Sequence, residues 1–269
     1  VLCAEAGDKV SLAVVMSGQS GEYITQGRVA DASRLASEYM NLVEAIGDPG
    51  LLVALCFPAC VAKLQAGQAD DVLRWSNAVI ALADRHENNW GLIGSPLAAA
   101  LAFRGVAGWT QNLAGWRQDL VRATELMDSI DPVSRATVIV YKYVGIPRGV
   151  LAADDAALAE IEEALCVAEL TSDDIAVVLV RMAYGLTLVH HSVAKRAQGY
   201  EVLAQLRNIC VANRFGINIV PLLDAYAARR SARSGNPDTA IGRLRAAVEL
   251  MTVTGHIGNV DVAVSLLVE

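Results

Sequence analysis

The sequence predicts an all-α fold, an α-solenoid of about six helix pairs followed by one more helix. Three observations predict it. First, Ala32, Val72, Trp116, Ala156, Tyr200 and Ala240 open six similar segments, at steps alternating between about 40 and about 44 residues. Second, two adjacent columns keep that phase and are apolar in every copy: Leu42, Leu82, Leu126, Cys166, Cys210 and Leu250, then Val43, Ala83, Met127, Val167, Val211 and Met251. Six unrelated helices would rarely hold both. Third, hydrophobic residues make up 54% of the chain and aromatics 5%, and an Ala/Leu/Val core suits close helix–helix packing. No stretch alternates with period two long enough for a sheet.

Each copy reads as a helix A, a tight turn, a helix B and a short loop. The A helices are expected at about 9–22, 50–66, 94–109, 134–150, 174–192 and 217–233, sharing the column Val14, Ala54, Ala98, Val138, Met182 and Leu222. One more step reaches Leu266, so 257–269 is expected to be a seventh A helix that caps the array, dimerises or continues. In the B helix at 28–46, Val29, Ala32, Leu35, Tyr39, Val43 and Ile46 fall at steps of three and four and make one apolar stripe. The same pattern runs through 113–130 at Trp116, Leu120, Ala123, Met127 and Ile130, and through 237–254 at Ile241, Leu244, Val248 and Met251.

Start signals agree with these spans. Asp70-Asp71 and Asp154-Asp155 place acid in a first turn, where the helix dipole favours it, and the pair at Asp173-Asp174 reads the same way. Asn236-Pro237-Asp238 reads as an N-cap, a proline at the first helical position and an acid. Gly47-Asp48-Pro49-Gly50 and Asp131-Pro132 are stops. The chain is expected to be one domain, 1–269, with repeats at about 9–47, 48–88, 90–131, 132–171, 172–214 and 216–255, then the C-terminal helix.

The turns Gly67-Gln68-Ala69-Asp70-Asp71 and Gly235-Asn236-Pro237-Asp238-Thr239-Ala240 carry a resemblance. Helix pairs with a small residue after the A–B turn look like tetratricopeptide-type repeats (TPR-like). The units are longer than that family's and lack most of its Trp/Leu/Gly/Tyr/Ala/Phe/Pro signature, so the likeness is to a divergent version. It implies a right-handed superhelix whose A helices line the concave face. The loop at 45–52, Ala-Ile-Gly-Asp-Pro-Gly-Leu-Leu, is similar in style to loops of bacterial, especially actinobacterial, multidomain signalling proteins. In those an ATPase module, often with an adenylate cyclase or helix-turn-helix domain, precedes a helical-repeat region. The resemblance implies a regulatory module of a larger cytoplasmic protein, with any ATPase or cyclase activity outside this chain. The absent initiator Met and the ending in mid-helix pattern fit that expectation.

Charge and cysteine usage narrow the classes. A net charge of −7 argues against broad binding to nucleic acid or anionic membrane. The most apolar stretch, 51–62, falls short of the roughly 20 residues a spanning helix needs. None of the five cysteines forms a CxxC pair, which suits a reduced, cytoplasmic setting; Cys166 and Cys210 are expected to be small core residues. Cys56 and Cys60, at i and i+4 on an apolar helix, have no histidine near enough in sequence to suggest a metal cluster.

Catalytic motifs are weak. Gly18-Gln19-Ser20-Gly21 lacks the phosphate-loop arrangement and reads as a turn or kink in the first helix pair. The acid pairs do not match DDxxD, and His190 and His191, as neighbours, diverge by about 100° on a helix. No metal, cofactor or catalytic residue is expected, and an all-α enzyme ranks last. Trp75 and Trp116 lie on apolar stripes, whereas Trp90 and Trp109, at helix ends, could anchor a ligand.

One functional hint comes from charge. The stretches 49–68, 91–118, 132–153 and 175–200 hold no acid, and their charges include Lys63, Arg104, Arg117, Lys142, Arg148, Arg181, Lys195 and Arg196. Two readings follow: a neutral-to-basic concave groove, or burial that depletes charge of both signs. The first gives a non-catalytic protein-interaction or sensor module that binds a partner segment or effector, with Tyr141, Lys142, Arg181, His190, Arg229 and Arg230 as candidate contacts. The alternative is a small-molecule receptor with one mostly apolar pocket near Trp109, Tyr141 and Tyr143. Partners are then a protein segment, another domain of the parent, an effector, or a second copy through the C-terminal helix.

Overall fold

The computed structural model describes residues 7–83, 95–127, 131–171 and 174–268, and every regular element among them is helical. In chain order the helices are α1 (Lys9–Thr25), α2 (Val29–Ile46), α3 (Pro49–Gln65), α4 (Ala69–Ala83), α5 (Pro96–Thr110), α6 (Trp116–Glu125) and α7 (Pro132–Tyr143). Then follow α8 (Asp155–Thr171), α9 (Asp174–His191), α10 (Val193–Asn213), α11 (Val220–Arg233), α12 (Pro237–Thr254) and α13 (Val260–Val268). Short 3₁₀ turns at Ile146–Arg148, Ile217–Ile219 and Ile257–Asn259 follow α7 and precede α11 and α13. Among the described residues no helix is long and apolar enough to cross a membrane.

Local chemistry sets the helix starts. Asp48 accepts from the Gly50 and Leu51 amides at 2.8 and 3.2 Å and caps α3, with Pro49 at its first position. Asp131 does the same for α7 through Val133 and Ser134. Asp154 accepts from the Ala157 amide at 2.8 Å. Asn236 holds the cap position of α12, but its side chain makes no capping hydrogen bond. Two expectations fail for reasons of sequence. The helix expected over 134–150 ends at Tyr143, because Gly145, Pro147 and a left-handed Gly149 (φ +70°) convert its last turn to a 3₁₀ turn. Gly18 and Gly21 make no turn or kink between helices; both lie inside continuous α1.

Packing follows chain order. Each helix lies against the next from α1 to α7 and from α7 to α13, while α1, α3, α5, α7 and α9 also pack each on the one before. The buried B-helix stripe is Ala32, Ala36, Tyr39 and Val43 in α2, and Ala240, Leu244, Ala247 and Met251 in α12. In α8 it is Ala157, Ile161, Ala164 and Ala168, and in α10 Gly199, Leu203, Leu206 and Cys210. Against a fixed 40/44 step, α8 runs one residue late and α10 one early.

The slip corrects several expectations. Ala156 and Cys166 are exposed and Val211 is 46% exposed, while Cys210 is fully buried. The column from Leu42 to Leu250 is a flank of the stripe: Leu42, Leu82 and Leu126 are half-buried and Leu250 is 50% exposed. Val14 is 44% exposed because no described helix precedes α1 to cover it. Trp75 is buried as expected, and Trp116 is half-buried under the Arg117 guanidinium. Trp90, Ile130 and Asp173 lie outside the described residues.

The chain also makes contacts far from sequence order. The 3₁₀ turn at Ile217–Ile219 reaches α1, and that at Ile257–Asn259 reaches the end of α3. Asn218 donates to Gln65 Oε1 at 3.1 Å across 153 positions. Gly258 sits where a Cβ would lie 2.3 Å from the Leu64 carbonyl oxygen, so only glycine allows this approach. Together these contacts form a seam that joins the last third of the chain to the first.

Candidate functional site

Lys63, Arg104, Lys142, Arg148 and Arg181, from the acid-free stretches, are each held by a carboxylate, whereas Arg117 lies over the Trp116 ring and Arg196 donates to the Val189 carbonyl. Lys63, 3% exposed, donates to Ser37 and Gln68 at 2.6 Å each and pairs with Asp71 at 3.0 Å. Arg104 makes a two-pronged pair with Asp119 at 2.8 and 2.5 Å. Lys142 pairs with Glu160 at 2.7 Å, and Arg181 with Glu169 at 2.9 Å. Both acids lie on α8, a B helix. The separation of charge between A and B helices is therefore a set of links between packed helices. A basic groove needs Lys142 and Arg181 to face an open surface without carboxylates, and the structure gives each one.

The six candidate residues do not form one site. His190 Nε2 lies 2.8 Å from the Tyr226 hydroxyl, with the rings edge to face. Arg229 is buried at 7% exposure, and Arg230 lies on the surface 3.6 Å from Glu201. Tyr141 is different. Its ring meets Phe103 edge to face at 4.8 Å, burial pushes its phenol above the ordinary range, and it lines a mostly apolar cavity beside the seam.

That cavity holds about 270 Å³. One wall comes from the A helices: Leu64, Val106, Val140, Leu179 and Met182, with the rings of Trp109 and Tyr141. Further lining comes from the seam: Asn218, Ile219, His256, Ile257 and Asn259. Of the aromatic residues expected near a pocket, Trp109 and Tyr141 line it. Tyr143 does not, because its hydroxyl donates to Glu160 on α8.

Arg148 anchors the seam wall. Its Nε and Nη2 donate to Asp261 at 2.7 and 2.9 Å, its Nη1 to the Val144 carbonyl at 2.8 Å, and its Nη2 also to the Gly258 carbonyl and to Asn259 Oδ1. The guanidinium also lies 5.6 Å from the centre of the Trp109 ring. Beside it His256 is 2% exposed; burial pulls its imidazole down to about 4, and the Arg148 charge adds to that. Asn259 Nδ2 lies 3.1 Å from His256 Nε2. The seam residues escaped the sequence reading because Arg148 and Asp261 stand 113 positions apart and no repeat column contains either.

Arg148→Met is expected to destabilise the fold by about 2 kcal/mol. It leaves the Val144 and Gly258 carbonyls without their donor, a penalty of roughly 1–3 kcal/mol for a buried group. Asp261, 59% exposed on its side chain, can rehydrate and adds little. Amide exchange should quicken at 64–67 and 256–261 and stay slow in α9 and α10. Uniform quickening would mean that Arg148 serves the whole fold and not the seam.

No family model matches the chain and no curated protein is similar to it, so the TPR-like resemblance rests on the chain's own residues.

Proposed function

We propose that the chain is a right-handed, TPR-like solenoid of about six helix pairs plus a C-terminal helix, acting as a non-catalytic receptor module. A small effector sits in the cavity beside the seam and regulates whatever is attached to the module. One observation carries this reading: Trp109 and Tyr141 share a cavity of about 270 Å³ with residues supplied by the far end of the chain. That volume is close to the lower end of small-molecule sites, which run from about 300 Å³ upwards. A peptide in a basic groove loses its main support, since Lys142 and Arg181 are neutralised within the fold.

Regulation follows from where the cavity lies. A ligand there touches A helices and seam turns together, so it binds the closed seam better than the open one. At about 100 times its dissociation constant such a ligand favours the closed form by about 2.7 kcal/mol. That is enough to shift a seam equilibrium roughly a hundredfold and bias an attached domain by population shift.

The test is to fill the cavity. Leu179 is half-buried and lines it, so Leu179→Trp places added atoms in space already empty. The melting temperature is expected to hold or to rise by a few degrees, as cavity filling commonly gives about 0.5–2 kcal/mol. A mixed set of anionic, cationic and neutral fragments, screened by saturation-transfer NMR, should give hits with the wild type that vanish in Leu179→Trp. An absence of hits, or hits that persist in the filled variant, would sink the receptor reading.

A further inference from the structure

We propose that the cavity selects an uncharged, flat molecule about the size of two fused rings that carries a hydrogen-bond acceptor. The proposal rests on the receptor reading and specifies its ligand.

Charge is settled by what the walls already hold. Among the described residues, the only full charges lining the cavity are Arg148 and Asp261, and they are paired with each other. Every nitrogen of the Arg148 guanidinium is engaged by Asp261, Val144, Gly258 or Asn259. His256 stays neutral at neutral pH because burial disfavours its cation. A ligand ion would lose its hydration and find no free counter-charge, a cost that apolar walls do not return. Leu64, Val106, Val140, Leu179, Met182 and Ile219 instead favour apolar surface. Trp109 and Tyr141 add aromatic rings to the lining, and rings pair well with a flat aromatic partner, edge on or offset-stacked.

The acceptor follows from two donors. Trp109 and Tyr141 line the cavity, and no hydrogen bond among the described residues occupies the indole N–H or the phenol O–H. Of the other polar lining groups, Asn218 donates to Gln65, the Thr110 hydroxyl to the Ala107 carbonyl, and Asn259 bridges Arg148 and His256; the His256 Nδ1 is buried without a hydrogen-bond partner. An acceptor on the ligand would replace the water that otherwise serves these donors.

Four probes of nearly equal size test the proposal against the intact chain by isothermal titration calorimetry. They are coumarin, which is neutral with a carbonyl acceptor; naphthalene, which lacks one; coumarin-3-carboxylate; and N-methylquinolinium. Coumarin is expected to bind most tightly, naphthalene about tenfold more weakly, and both ions at least thirtyfold more weakly. Tyr141→Phe or Trp109→Phe should cut the coumarin–naphthalene gap and leave naphthalene unchanged; two variants keep the test alive if one fails to fold. Tighter binding of either ion, or equal binding of coumarin and naphthalene, overturns the proposal. If the mixed fragments bind in the cavity and coumarin does not, this inference fails while the receptor reading stands. If no fragment binds, the receptor reading itself fails.

Discussion

Gly199→Ala is expected to lower stability by about 3 kcal/mol or more, although alanine is the better helix former by about 1 kcal/mol. The reason is the approach of α10 to α9. A Cβ at Gly199 would lie 2.6 Å from the Val189 amide nitrogen and 2.8 Å from the Gly185 carbonyl oxygen. Both are backbone atoms of α9, which cannot rotate aside as a flexible side chain would. Added atoms in a packed interface usually cost about 1–3 kcal/mol, and a clash with backbone belongs at or above the upper end. Gly185 returns the same relation, since its missing Cβ leaves room for Leu203, 2.6 Å from where that carbon would stand. The two helices therefore meet through glycine on both sides.

Gly242→Ala in α12 is the internal control. Nothing lies within 4 Å of a Cβ there, so it should gain up to about 1 kcal/mol from propensity alone. Urea midpoints of the two variants should move in opposite directions. If both rise, α9 and α10 do not meet as described.

The fold class was legible in the sequence because helix packing is periodic. Val29, Ala32, Tyr39 and Val43 sit on a buried face that their spacing announces. The exact phase was not legible. An apolar column tolerates a one-residue slip when both neighbours are apolar, and α8 and α10 use that freedom in opposite directions. Thus Cys166 and Cys210 share a column in sequence, yet one is exposed and the other buried.

Charge misled for a related reason. Lys142 and Arg181 stand in acid-free stretches, which suggests an open basic face. Their partners Glu160 and Glu169 come from the neighbouring helix, 18 and 12 positions away, too far for any local motif. Of the candidate site, Trp109 and Tyr141 could be read, since a ring at or near the end of an A helix invites a pocket. The seam could not, because Arg148, His256 and Asp261 meet only when the chain has closed on itself.

Acid is expected to weaken the seam through His256, and the sign follows from its burial. Its ordinary value is 6.5 and its folded value is about 4, so between these the unfolded chain takes up a proton that the native chain refuses. Stability then rises with pH across that window and is lost as pH falls from 6.5 towards 4. A difference of about 2.5 units at 1.36 kcal/mol per unit gives roughly 3 kcal/mol. At 2% exposure little of this is returned by solvent. Forcing the proton on would set a second cation beside Arg148 and take the Nε2 lone pair from Asn259. Opening the seam is the simpler outcome, because it rehydrates His256 while α9 and α10 stay packed.

The measurement is unfolding free energy in urea at pH 7 and at pH 4, for the wild type and for His256→Gln. Carboxylates that titrate near pH 4 contribute to both proteins and cancel in the comparison. The wild type should lose about 3 kcal/mol more than the variant, and coumarin affinity should fall in the same window in the wild type alone. Parallel losses would place His256 in water in the native state. Arg148 would then be holding a seam that is already open at neutral pH, and its replacement by methionine would have to be nearly silent.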